Sequence, residues 1–139
     1  MKLEQKNVFI TGSSRGIGLA IAHKFASLGA NVVLNSRGEI SEELLNEFKP
    51  YGVKVLAISG DVSDFTDAKR MVDQAIEELG SVDVLVNNAG ITQDTLMLKM
   101  TEEDFEKVLK INLTGAFNMT QAVLKQMIKV REGAIINMS

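Results

Sequence analysis

The chain has 139 residues, 45% of them hydrophobic and 24% charged, with a formal net charge of −3. That suffices for one domain with its own core and excludes a disordered polymer. The absence of cysteine and of any Lys/Arg block argues against a disulfide scaffold, a nucleic-acid binder and a membrane-surface protein.

No run approaches the roughly 18 apolar residues of a membrane span. Val8-Phe9-Ile10 is too short for a signal-peptide core, so a cytoplasmic protein is expected. In chain order, short apolar runs alternate with longer amphipathic segments. The runs are Asn7 to Thr11, Asn31 to Asn35, Val53 to Ser59, Val82 to Asn87 and Ala134 to Met138. They are rich in Val, Ile and Leu with little polar alternation, as in parallel strands covered on both faces.

Between the first two runs, Ile17, Ile21, Phe25 and Leu28 repeat at helical spacing, with Gly29 just past the end. A second helix is expected from the N-cap Ser41, with Glu42 and Glu43 at its positive start and Pro50 barring continuation. In the third, Phe65, Ala68, Val72, Ala75, Ile76 and Leu79 form one stripe between Ser63 and Gly80. The fourth opens at Thr101, with Asp104 nearly completing a capping box, and extends towards Val130 with a bend or break at Gly115. His23 is expected on a solvated face, Tyr51 at the surface or in packing, and the methionines mostly as core fillers. The order βαβαβαβαβ predicts a doubly wound, mostly parallel, Rossmann-like α/β sheet, residues 1–139 forming one dinucleotide-binding domain. Ligands of such sheets bind beyond the C-terminal strand ends, where strand order reverses.

The first strand runs directly into Thr11-Gly12-Ser13-Ser14-Arg15-Gly16-Ile17-Gly18. A diphosphate needs close access to backbone N–H groups at a helix start, where the helix dipole favours anions. Gly12 permits the tight turn, Gly16 removes a blocking side chain, and Gly18 lets the helix approach the strand. Gly12 to Ile17 are therefore expected to cradle a dinucleotide's diphosphate. An NAD site usually carries a carboxylate at the end of the second strand. Here that strand ends Asn35-Ser36-Arg37, and Arg37 with Arg15 suits a 2′-phosphate, so NADP(H) is expected over NAD(H).

Three further segments resemble the short-chain dehydrogenase/reductase family. Asp61-Val62 looks like the pair that brackets the adenine. Asn87-Asn88-Ala89-Gly90 looks like the family's N-N-A-G motif, in which Asn88, Ala89 and Gly90 would line the cofactor. Asn112, in Lys110-Ile111-Asn112-Leu113, matches the helix asparagine of the catalytic tetrad. The stretch from Gly90 to Met100 is similar to that of 3-oxoacyl-acyl-carrier-protein reductases of fatty-acid synthesis. The resemblance implies an oxidoreductase that passes hydride from NADPH to a 3-oxoacyl thioester. Other carbonyl substrates such as acetoacetyl-CoA, or a fragment that binds NADP(H) without turnover, stay open beside it.

In that subfamily an arginine placed like Arg131 is associated with docking the acidic acyl carrier protein, and Lys125 and Lys129 lie nearby. The family is usually tetrameric through its fourth helix and the one after it. Its serine, tyrosine and lysine normally follow the fifth strand. Ser139 matches only the first serine of the family's N-x-S-S, so Asn112 alone of the tetrad is expected here and the chain alone is expected to be inactive. With its fifth strand at an open edge, the isolated chain is expected to be marginal, swapped or aggregated.

Overall fold

The computed structural model describes residues 1–90 and 97–139. Residues 91–96, which carry much of the Gly90 to Met100 resemblance, lie outside the described residues. Five strands form one sheet: β1 (Asn7–Ile10), β2 (Asn31–Ser36), β3 (Val55–Ser59), β4 (Val84–Asn87) and β5 (Ala134–Asn137). Their order is β3-β2-β1-β4-β5, and every pairing is parallel. Phe9 lies opposite both Val33 and Leu85, which sets the register of the three central strands. The helices are α1 (Gly16–Ser27), α2 (Glu42–Asn46), α3 (Phe65–Leu79), α4 (Glu102–Leu109) and α5 (Gly115–Val130).

The unbroken apolar runs are explained by two cores. Phe9, Val33 and Leu85 face one way and pack with Ala68, Met71, Val72, Met119 and Val123 of α3 and α5. Val8, Ile10, Val32 and Leu34 face the other way, towards Ala22 and Ala26 of α1 and Phe48. Successive strand residues point to opposite faces, so a sheet covered on both sides has no polar position to alternate with. Strand order reverses between β1 and β4, and their C-terminal ends open a crevice there.

Several expectations are corrected. Of the stripe Ile17, Ile21, Phe25 and Leu28, only Ile21 and Phe25 pack against the core, at its margin; Ile17 is 67% and Leu28 45% exposed. Gly18, Ala22 and Ala26 are buried instead, because the helix lies so close to the sheet that only small side chains fit. The third helix is capped by Asp64, not Ser63, and its expected apolar residue Phe65 is exposed while Met71 is fully buried. As expected, α2 does not continue through Pro50; it ends already at Asn46, and the proline lies in a short 3₁₀ turn, Lys49–Tyr51.

His23 is not on a solvated face. Its ring stacks on Phe48 at 4.2 Å, and its nitrogens bond the Tyr51 hydroxyl at 2.8 Å and Glu47 at 3.2 Å, fastening α1 to α2. Of the methionines, Met71, Met119 and Met127 fill the core, whereas Met1 and Met138 are exposed.

The long fourth segment resolves into α4, a π-helical turn (Lys110–Thr114) and α5. Thr101 and Asp104 complete a capping box, with bonds of 3.0 and 3.1 Å. Gly115 has ordinary helical angles; its small size serves contact with Val62, and the π turn makes the break. Among the described residues β5 pairs only with β4 and lies at a sheet edge, with Ile136 40% exposed. Among the described residues no helix is long and apolar enough to cross a membrane.

If α1 buries its small-residue face, Ala22→Leu overpacks it and lowers stability by about 1–3 kcal/mol. Ile17→Ala, on the exposed side, changes stability by less than about 0.5 kcal/mol. Denaturant melts of both variants check the contrast, and a larger loss from Ile17→Ala would reverse the assignment.

Candidate functional site

A cavity of about 530 Å³ lies at the C-terminal ends of β1, β2, β3 and β4. Of the residues singled out from sequence, Gly12, Ser14, Arg15, Gly16, Arg37, Asp61, Val62, Asn88, Ala89 and Gly90 line it. Four loops separated by up to about half the chain are thereby brought to one opening.

Ser13, Ile17 and Gly18 do not line it. Ser13 is fully buried, its hydroxyl donating to the Ile10 carbonyl at 2.7 Å and accepting from the Asn35 N–H at 2.9 Å. The Ile17 side chain points to solvent. Gly18 is the close-approach position: a Cβ there would run into the Gly12 carbonyl and the Asn88 amide. Gly12 has φ +60, and a Cβ on it would lie 2.8 Å from the Ala89 backbone.

The expected cradle is narrower than Gly12 to Ile17. The Gly12 N–H donates to Asn35 Oδ1 at 3.1 Å and the Ser13 N–H to the Asn35 carbonyl at 2.8 Å, so both are consumed inside the fold. What remains open is the start of α1. Leu19 is the first residue of that helix whose N–H finds a helical acceptor, Arg15 O at 3.2 Å. The helix has no side-chain cap and no acidic residue in its first turn, in contrast to α2, α3 and α4, which Ser41, Asp64 and Thr101 cap. Its free N–H groups and positive dipole end stand beside the cavity, with nothing within 4 Å of the place a Gly16 Cβ would take.

Three residues that sequence reasoning did not assign hold this geometry. The buried Thr11 hydroxyl accepts from the N–H groups of Asn88 at 3.0 Å and Ala89 at 2.8 Å, joining the β1 turn to the β4 turn. Asn88 returns the tie through its side-chain amide, which donates to the Gly12 carbonyl at 3.0 Å. Asn35 bonds Gly12 as described, and its amide reaches the Ile58 carbonyl at 3.1 Å. Asn118, buried on α5, donates to the Val62 carbonyl at 3.0 Å. A buried Asn in an otherwise apolar strand was the signal available for Asn35, because such a group must be bonded.

A second cavity, about 750 Å³, shares Asn88, Ala89 and Gly90 with the first and is otherwise lined by Asn112, Leu113, Phe117 and the chain from Asn137 to Ser139, among others. Asn112 lies on the π turn, and a Cβ added to Gly90 would be 2.8 Å from Asn112 Oδ1. π turns within helices are often found at functional sites. Arg131 ends α5 in a left-handed conformation, φ 57, and is exposed, as are Lys125 and Lys129.

Around the loop after β3, Asp67 accepts from the Asp61 N–H at 2.6 Å and from Arg70 Nε at 2.7 Å. The Asp61 N–H first, then the Arg70 guanidinium, holds the Asp67 carboxyl below the ordinary carboxylate range. Its contribution to stability is therefore complete above the ordinary carboxylate pKa and is lost progressively as pH falls from there through the lowered value of the folded protein. Among the described residues, no group of three or more His, Cys, Asp or Glu is placed to hold a metal ion.

With a crevice at the strand-order reversal and an uncapped helix start beside it, the fold and site define a Rossmann-like α/β scaffold, and the chain belongs to the short chain dehydrogenase family, whose model matches residues 6–139. Among curated proteins it is 44% identical over 136 residues to the 3-oxoacyl-[acyl-carrier-protein] reductase FabG of Staphylococcus aureus strain Mu50, covering 96% of this chain and 55% of that protein. It is 43% identical to the protein of the same name from Thermotoga maritima, covering 100% of this chain and 57% of the relative. The chain thus spans little more than half the length of these relatives.

Because Thr11 accepts two backbone N–H groups, Thr11→Val, equal in shape, leaves both unbonded and costs about 1–3 kcal/mol. Thr11→Ser retains the acceptor and most of the stability. Chemical denaturation of the two variants tests this, and equal stability would show that the hydroxyl does not join the turns.

Proposed function

We propose that residues 1–139 form the NADP(H)-binding domain of a cytoplasmic enzyme that reduces a 3-oxoacyl-acyl-carrier-protein to the 3-hydroxyacyl form. The observation that carries this reading is the uncapped start of α1 facing a cavity whose rim holds Arg15 and Arg37. The N–H groups of Ser14 to Gly18 would bind the diphosphate, Arg37 and Arg15 the 2′-phosphate, and Asp61 and Val62 the adenine. Asn88, Ala89 and Gly90, shared by both cavities, would hold the middle of the cofactor between them. The segment Asn35 to Gly38 at the end of β2 contains no carboxylate, which favours the phosphorylated ribose over a free 2′-hydroxyl.

The dinucleotide, when bound, supplies hydride; the chain's own residues orient it and shape the neighbouring cavity. Asn112 on the π turn is the group of residues 1–139 assigned to the proton path, through a water held at its side chain. The sole tyrosine, Tyr51, bonds His23 and lines neither cavity, so it is not the proton donor. Turnover in this reading needs a tyrosine and a lysine that residues 1–139 do not contribute at the second cavity, and the serine that lies there, Ser139, matches only the first of the family's N-x-S-S, so these residues alone bind cofactor without reacting.

The names of the relatives support the thioester substrate, and the exposed cations Lys125, Lys129 and Arg131 suit an acidic carrier protein. Arg131→Glu is expected to weaken carrier-protein binding at least about tenfold by reversing one contact charge; unchanged affinity would remove that partner from the reading. A homotetramer is part of the same reading. It is supported by the exposed stripe Phe105, Leu109, Leu113 and Phe117, which recurs every four residues along α4 and the turn into α5. Light scattering that finds only monomer would contradict it.

The cofactor preference is tested by titrating NADPH and NADH into the protein. NADPH is expected to bind about tenfold or more tightly, and Arg37→Ala to erase most of the difference. NADH binding as tightly as NADPH would overturn the assignment.

A further inference from the structure

We infer that Asp67 and Arg70 are positioning residues for the adenosine end of the dinucleotide, an inference that rests on the cofactor reading above. Both project from the first half of α3 and neither lines the cavity. Together they bridge the turn at Gly60. Arg70 Nη2 donates to the Ser59 carbonyl at 2.7 Å on one side of that glycine. Asp67 Oδ2 accepts from the Asp61 N–H at 2.6 Å on the other, and the two side chains join through Arg70 Nε and Asp67 Oδ1 at 2.7 Å. The turn is sealed beneath them: a Cβ on Gly60 would meet Arg70 Nη2 and Asp67 Oδ2, each at 2.8 Å.

The clamp reaches both loops that face the adenosine. Asp61, whose N–H it fixes, lines the cavity, and its carboxylate is already engaged by the Ser63 N–H at 2.9 Å and hydroxyl at 2.7 Å. Ser59, whose carbonyl it fixes, donates its hydroxyl to the Gly38 carbonyl at 2.8 Å, and the Gly38 N–H donates to Ser36 Oγ at 3.2 Å. Arg37 therefore stands between two residues that are both pinned, and one of those pins leads back through Ser59 to Arg70. The Gly60 N–H closes the circuit onto the Ser36 carbonyl at 2.9 Å.

An ordinary exposed i, i+3 ion pair is worth little, because water competes for both partners. This one differs in what its second arms do. Each partner uses its other polar atom on backbone flanking the same glycine, so separating the pair releases the loop as well as the charges. Preset loops lower the ordering cost of binding, and the benefit falls on the half of the ligand they touch.

The test is binding of the two halves of the cofactor to the purified protein. Asp67→Ala and Arg70→Met are expected to weaken 2′,5′-ADP about tenfold, while the affinity for reduced nicotinamide mononucleotide, followed by NMR line shapes, changes less than about twofold. Arg70→Lys, which keeps the charge and preserves folding but cannot span both partners, is expected to lose most of the same affinity. Unchanged 2′,5′-ADP binding in Arg70→Lys, or equal losses for both halves, overturns the inference while leaving the cofactor reading intact. If the unsubstituted protein binds neither 2′,5′-ADP nor NADPH, the cofactor reading fails and this inference with it.

Discussion

At the start of α1, peptide N–H groups meet no helical acceptor, no capping side chain and no acidic residue. Exposed donors at a positive dipole end form an anion site unless something fills them. The remainder of the site can be understood as the means of keeping that helix start open, correctly placed and next to a cavity. Small residues let α1 lie close to the sheet; Gly18 meets Asn88 and the Gly12 carbonyl; the neighbouring N–H groups of Gly12 and Ser13 are occupied by Asn35.

Placement depends on polar ties between turns that lie far apart in sequence. Thr11 joins the β1 and β4 turns, Asn35 joins the β1 turn to β3, and Asn118 joins α5 to the loop after β3. Each is a buried or half-buried side chain bonded to backbone, and such bonds are costly to break because the freed partner has no water to turn to. The loops are therefore tied to the core. The Asp67–Arg70 bridge extends the same construction to the outer edge of the cavity.

Much of the fold was legible from sequence, since the alternation of apolar runs with amphipathic segments depends only on strand burial and helix period. The succession of five parallel strands, the caps at Ser41 and Thr101 and the helix end at Gly80 all follow from local chemistry. Helix faces were harder. Counting large apolar residues in α1 pointed to Ile17, Ile21, Phe25 and Leu28, of which only Ile21 and Phe25 pack on the core, yet close packing against a sheet selects for small size, and Gly18, Ala22 and Ala26 face inward. The π turn at Lys110–Thr114 was hidden because its residues have no distinct helical preference; only a long helical stretch and Gly115 hinted at a break.

The cavity-lining residues were legible where their type answers a local need, as in the glycine turn and the Asn88-Ala89-Gly90 segment. Their supports were not. Thr11, Asn35, Asp67 and Arg70 act through partners as distant as 78 positions, and nothing local marks a threonine or an i, i+3 ion pair as a structural tie. For the same reason the extent of the cradle was overestimated: Gly12 and Ser13 look like donors to a ligand until Asn35 is placed beside them.

The central claim is that the N–H groups from Ser14 to Gly18, and not those of Gly12 and Ser13, receive the diphosphate. Amide-resolved NMR of the ¹⁵N-labelled protein during NADPH titration measures this directly. The account predicts that the amide proton resonances of Ser14 to Gly18 move downfield together and saturate, as expected when an anion accepts from them, while those of Gly12 and Ser13 keep their internal bonds and move far less. Saturable NADPH binding that leaves Ser14 to Gly18 unmoved, or that displaces Gly12 and Ser13 most, would contradict it.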